Sequence, residues 1–164
     1  MTVYARDVMQ SKVRSVGPKL PLSDLERAFL EARVSGFPVV DGDRLVGVVS
    51  RSDIVRKLAA EQSVAEYVSD YHRDVGGFDE LRPTDPPERL AAQAASRLGA
   101  ATVEDVMSRT PVTVNPNDPL GEVARVLVER QVHRVPVVDD GRLEGIITSL
   151  DLVSMIAEGK IAPT

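Results

Sequence analysis

A fixed offset governs this chain. The stretch Pro38-Val39-Val40-Asp41 recurs as Pro136-Val137-Val138-Asp139, and Arg44-Leu45-Val46-Gly47 recurs as Arg142-Leu143-Glu144-Gly145. Pro38 and Pro136, Gly47 and Gly145, and Asp53 and Asp151 each stand 98 residues apart. Upstream, Asp7-Val8-Met9 maps onto Asp105-Val106-Met107 at the same spacing. An offset held from about Ala5 to Lys57, and again from Val103 to Met155, marks an internal duplication. Whatever one copy folds into, the other must fold into as well.

Each copy reads as strand, helix, strand, strand, helix. Val13-Arg14-Ser15-Val16 is a short strand broken by Gly17-Pro18. Leu22, Leu25, Ala28, Phe29 and Ala32 recur at helical spacing, which predicts a helix from about Leu22 to Val34, closed by Ser35-Gly36. β-Branched runs on either side of Asp41-Gly42-Asp43, and again of Asp139-Asp140-Gly141, predict a hairpin in each copy. Ser50 and Thr148 then head the second helices. In copy two, Asp118-Pro119 reads as N-cap and first helical residue. Three strands and two helices bury their own faces poorly, so two copies have a physical reason to pack together.

Taken in order and twice over, Asp-Val-Met, apolar-Pro-Val-Val-Asp, Arg-Leu-x-Gly and Ser/Thr-x-x-Asp resemble the cystathionine-β-synthase (CBS) domain. The resemblance implies an α+β protein of tandem CBS domains. Each would be a small mixed β-sheet with two helices, and the two would pack as a pseudo-two-fold Bateman pair. Residues 1–60 and 103–164 are then the two domains, and residues 61–102 a helical insert between them. In that insert Val64, Tyr67, Val68 and Tyr71 extend an apolar stripe, and a further helix is expected from about Pro87 to Leu98, ended by Gly99.

Ser50-x-x-Asp53 and Thr148-x-x-Asp151 have the spacing of a capping box, in which hydroxyl and acid satisfy helix-end N–H groups. By resemblance, the same aspartates hold the ribose hydroxyls of an adenosine-type ligand, and a carboxylate can accept from both hydroxyls of a cis-diol. Ser15-Val16 with Phe37-Pro38, and Thr113-Val114 with Val135-Pro136, line the adenine pocket in the same reading. His133 and Arg134 resemble the phosphate-contacting residues of the γ subunit of AMP-activated protein kinase. Against that, cationic side chains at a helix C-terminus need no ligand to explain them. Arg51, beside Ser50, is a further phosphate candidate, and its counterpart Ser149 is not.

Other classes of function find little support. The chain has no Cys and only two His, His72 and His133, so disulfides, thiolate chemistry and a His-rich metal site are not expected. No Gly-rich phosphate loop or nucleophile motif is present, and an enzyme is not expected. A net charge of −5 disfavours non-specific nucleic-acid binding. No apolar run nears the ~20 residues of a membrane span, and the N-terminus lacks an apolar signal core, so a cytoplasmic protein is expected. The resemblance implies a homodimeric regulatory module that needs no cofactor. It would sense AMP, ADP, ATP or S-adenosylmethionine and act on a separate protein; an interaction scaffold with empty clefts is the alternative.

Overall fold

The computed structural model describes residues 2–60, 96 and 99–160. In chain order the elements are α1 (Ala5–Val8), α2 (Leu22–Ala32), β1 (Gly36–Asp41), β2 (Arg44–Ser50) and α3 (helical residues 51–60). A short 3-10 turn follows at Val103–Asp105. Then come α4 (Leu120–Glu129), β3 (Arg134–Asp139), β4 (Arg142–Thr148) and α5 (Ser149–Ala157). The four strands form one sheet in the order β1-β2-β4-β3.

Turn chemistry sets both hairpins. Asp140 and Gly141 both take positive φ (48° and 80°), the signature of a type I′ turn. In copy one only Gly42 does (65°), the pattern of a type II′ turn. A side chain at Gly141 would also meet the Arg44 guanidinium, at 2.5 Å from a Cβ.

The expected first strand is reduced to one rung in each copy. Val16 bridges Val39 and Val114 bridges Val137, both parallel. Val16 N–H donates to Pro38 O (3.0 Å) and Val40 N–H to Val16 O (2.9 Å); Val114 and Val138 repeat this with Pro136 (3.1 and 2.8 Å). The rung above would need an N–H from Pro38 or Pro136, and the rung below one from Pro18 or Pro116. Proline has no N–H to give, so the ladder stops on both sides.

Helix ends differ from expectation by a residue or two. The N-caps of α2 and α4 are Pro21 and Pro119, with no side-chain cap. Asp118 is not the cap, because its carboxylate accepts Asn115 N–H (2.8 Å). α2 ends at Arg33 (φ 53°), before Ser35-Gly36, and Val34 N–H reaches back to Phe29 O (3.3 Å). Gln131 (φ 53°) and the Val132 N–H bond to Leu127 O (3.0 Å) repeat that Schellman-type ending. Gly99 does not end a helix, since residues 99 and 100 are both helical and its φ is not positive. The expected helices over Val64–Tyr71 and Pro87–Leu98 fall outside the described residues, apart from helical Ser96.

The chain forms two compact units that interleave the copies. Unit 1 holds residues 1–16, 38–48 and 108–164; unit 2 holds residues 17–37 and 49–107. In unit 1 the segment leading into copy one closes the start of α4. Leu120 N–H donates to Val3 O (2.9 Å), Ala5 N–H to Asp118 O (2.9 Å) and Arg6 N–H to Pro116 O (3.0 Å). In unit 2 the segment leading into copy two does the same for α2: Leu22 to Ala101 (3.1 Å), Val103 to Leu20 (2.9 Å) and Glu104 to Pro18 (2.9 Å). Each leading segment thus supplies the acceptor that a proline N-cap cannot.

Asp7 and Asp105 of the Asp-Val-Met motif fold those segments back on themselves. Asp7 accepts Tyr4 N–H (2.9 Å), and Asp105 accepts Thr102 N–H (2.8 Å). The Thr102 N–H and hydroxyl hold the Asp105 carboxyl below its usual pKa. The core of unit 1 gathers Ala5, Val114, Leu120, Val123, Leu127, Val135, Val137 and Ile147. In unit 2, Leu22, Leu25, Phe29, Phe37, Val49, Ala101 and Val103 are buried, with the Phe29 and Phe37 rings stacked at 5.1 Å. Among the described residues no helix is long and apolar enough to cross a membrane.

Candidate functional site

The copy-two candidates all lie in unit 1. β3 and β4 pair antiparallel with Arg134 opposite Thr148, Val135 opposite Ile147 and Pro136 opposite Ile146. Alternation along the strands sends Val135, Val137 and Ile147 into the core and leaves Arg134, Pro136, Ile146 and Thr148 on the other face. A register shift after Val137 leaves Glu144 as a bulge in β4. Val114 is buried on its single rung against β3, and its neighbour Thr113 is exposed. His133 is exposed just before β3, and its carbonyl accepts Ser149 N–H (2.9 Å), which ties the start of β3 to the start of α5.

Thr148 is the N-cap of α5, and the capping box is complete. Asp151 N–H donates to Thr148 Oγ1 (3.2 Å). Thr148 N–H and its hydroxyl both approach Asp151 Oδ2 at 2.7 Å. One carboxylate oxygen therefore holds the helix end. The other, Oδ1, accepts from Gln10 Nε2 (2.9 Å). Gln10 reaches this position because its backbone bridges Ile146 on the edge of β4, with N–H to O distances of 2.9 and 3.1 Å. Gly145 makes room for the approach, since a Cβ there would stand 2.7 Å from Met9 Sδ and 3.0 Å from Met9 Cβ.

The copy-one candidates are divided between the units. Exposed Ser15, buried Val16 and buried Pro38 belong to unit 1. Phe37, Ser50, Arg51 and Asp53 belong to unit 2. Asp53 Oδ2 takes the Ser50 N–H and hydroxyl, both at 2.7 Å, as in copy two. Its Oδ1 is ion-paired to Arg56 rather than bonded to an amide. Arg51 is exposed, lies over the Phe29 ring at 5.7 Å, and gives its N–H to Ser35 O (3.1 Å).

The capping box is complete at Thr148 and its acid half is formed at Ser50, and in both copies the second carboxylate oxygen meets another donor. Sequence reasoning did not find Gln10. Its pairing with Asp151 spans nearly the whole chain, and no local pattern signals it.

Known proteins resemble this chain in sequence and in fold. Residues 5–60 and 103–158 match the CBS domain. The uncharacterized protein MJ1426 of Methanocaldococcus jannaschii is 31% identical over 137 residues, covering 82% of this chain and 80% of that protein. The chloroplastic CBS domain-containing protein CBSX2 of Arabidopsis thaliana is 31% identical over 140 residues. That alignment takes in 84% of this chain but only 56% of the relative. The crystal structure of CBSX2 in complex with AMP superposes with a TM-score of 0.69 at 26% identity, over 96% of this chain and 98% of that one. The CBS domain pair of protein MJ0100, in complex with 5-methylthioadenosine and S-adenosyl-L-methionine, shares the fold at 20% identity. Its TM-score is 0.62, over 98% of this chain and 100% of that one.

Proposed function

This chain belongs to the CBS-domain family as a tandem pair, and from that premise we propose that it is a non-catalytic regulatory module that binds an adenosine ligand through copy two. Related CBS pairs hold AMP, or S-adenosyl-L-methionine and 5-methylthioadenosine. The observation that carries the reading is the Asp151 carboxylate, fixed through one oxygen by Thr148, while the other meets only the exposed amide of Gln10. A rigid acceptor beside a helix N-terminus suits a ribose diol. Arg134, opposite Thr148 on the same sheet face, is the phosphate-side candidate together with His133. Thr113, Val114, Val135 and Pro136 would frame the base. Copy one carries Ser35-Gly36 where copy two has His133-Arg134, so copy two is the stronger site for a phosphate-bearing ligand.

A second reading, an assembling scaffold, is favoured by a separate observation. Leu30 and Val128, Val55 and Val153, and Leu58 and Ile156 are exposed apolar residues at duplicated positions, from 37% to 76% exposed. Val128 lies on α4, Val153 and Ile156 on α5, and these two helices touch. Repeated apolar helix faces are what a symmetric homodimer would cover. The two readings are compatible, and the regulated protein would be a separate cytoplasmic partner.

A thermal-shift panel with AMP, ADP, ATP and S-adenosylmethionine separates them. A ligand that binds only the folded chain adds about 2.7 kcal/mol at 100 times its dissociation constant. At least one of the four is expected to raise the melting temperature in a saturable way. No shift with any of them leaves the scaffold reading alone.

A further inference from the structure

We infer that Gln10 is a built-in competitor for the diol, a residue that occupies Asp151 until ligand displaces it and so sets how strongly ribose is distinguished from deoxyribose. The inference rests on the adenosine-binding reading above and adds a regulator of the same site.

The chemistry is a count of acceptors. Asp151 Oδ2 faces the Thr148 N–H and hydroxyl. Oδ1 is the oxygen with capacity for an incoming hydroxyl, and Gln10 Nε2 donates to it at 2.9 Å. A carboxylate oxygen accepts two hydrogen bonds, and a diol that gives both hydroxyls to Oδ1 needs both places, one of which Gln10 holds. Gln10 is well held for this role, because its backbone bridges Ile146 two residues before Thr148. Its side chain is exposed, so it can swing into water and be hydrated when displaced. The duplicated position carries Ser108, which bridges Val48 in the same way (2.9 and 3.0 Å) but has no amide. At copy one the second oxygen of Asp53 meets Arg56 instead. The competitor is therefore a feature of copy two.

The experiment is titration calorimetry of the full chain with AMP and with 2′,3′-dideoxyadenosine 5′-monophosphate. It uses wild type, Gln10→Ala and Gln10→Leu, the last keeping bulk while losing the donor. Removing one solvent-exposed hydrogen bond that ligand must break is expected to tighten AMP by about three- to tenfold in both variants. The dideoxy compound, which needs no displacement, should bind all three alike. The ratio of the two affinities therefore widens, a readout that a general loss of stability would not move. Unchanged or weaker AMP binding in both variants, with AMP still bound by wild type, overturns the competitor and leaves the site standing. Tightening of both compounds alike overturns it too. No heat with any protein overturns the competitor as a regulator of AMP, and the adenosine-binding reading falls with it only if ADP, ATP and S-adenosylmethionine also leave the melting temperature unmoved.

Discussion

Ile147→Ala is expected to cost about 2–5 kcal/mol of stability in urea denaturation. Ile147 is fully buried, pairs with Val135 across the β3–β4 ladder, and belongs to a core with Leu120, Val123, Leu127 and Val137. Truncation removes buried methyl groups and leaves a cavity. Two strands bound that cavity on one side and α4 on the other, and elements fixed by their own hydrogen bonds collapse poorly into it. Val49 holds the duplicated position at 1% exposure. Val49→Ala removes one carbon fewer and is expected to cost less. A loss below about 1 kcal/mol for Ile147→Ala, the level of ordinary surface changes, would mean that the face with Val135 and Ile147 is not the core of unit 1.

The second large effect falls on ligand. Asp151→Ala is expected to weaken adenosine-ligand affinity by about ten- to a hundredfold, the equivalent of roughly 1.5–3 kcal/mol for a lost hydrogen bond to a charged group. Two further variants separate capping from binding. Thr148→Ala removes the N-cap hydroxyl and should cost about 0.5–2 kcal/mol of stability while leaving a carboxylate in place. Asp53→Ala removes the equivalent acid of copy one and should leave the tighter site unchanged. Titration calorimetry reads the affinities of all three variants, and thermal melting reads their stability. If Asp151→Ala binds as tightly as wild type while melting earlier, the motif is a helix cap and nothing more.

Much of this was legible because duplication tests every local pattern twice. The hairpins followed from β-branched runs around Asp-Gly and Gly-Asp, and the second helices from Ser50 and Thr148. The family followed from motif order. The first strands were overstated, because β-propensity in Val13–Val16 says nothing about whether the opposing residues carry an N–H. The prolines that remove those N–H groups were visible, but their register was not. The cap at Pro119 was misplaced for a related reason. Asp118 is a good capping residue by type, yet Asn115 N–H claims its carboxylate, and a chain segment more than a hundred residues away closes the helix instead. That exchange of leading segments leaves no local trace, because the constant offset relates the copies without saying which pairs with which. Gln10 was missed for the same cause.

The central claim is that copy two is an adenosine site, and amide chemical shifts test it residue by residue. In a ¹⁵N-labelled chain titrated with AMP, the amides of Thr113, Val114, His133, Arg134, Val135, Thr148 and Asp151 are expected to move together and saturate at one dissociation constant. Gln10 should move with them as its side chain leaves Asp151. Saturable shifts confined to other parts of the chain, with Thr148 and Asp151 unmoved, would contradict the account.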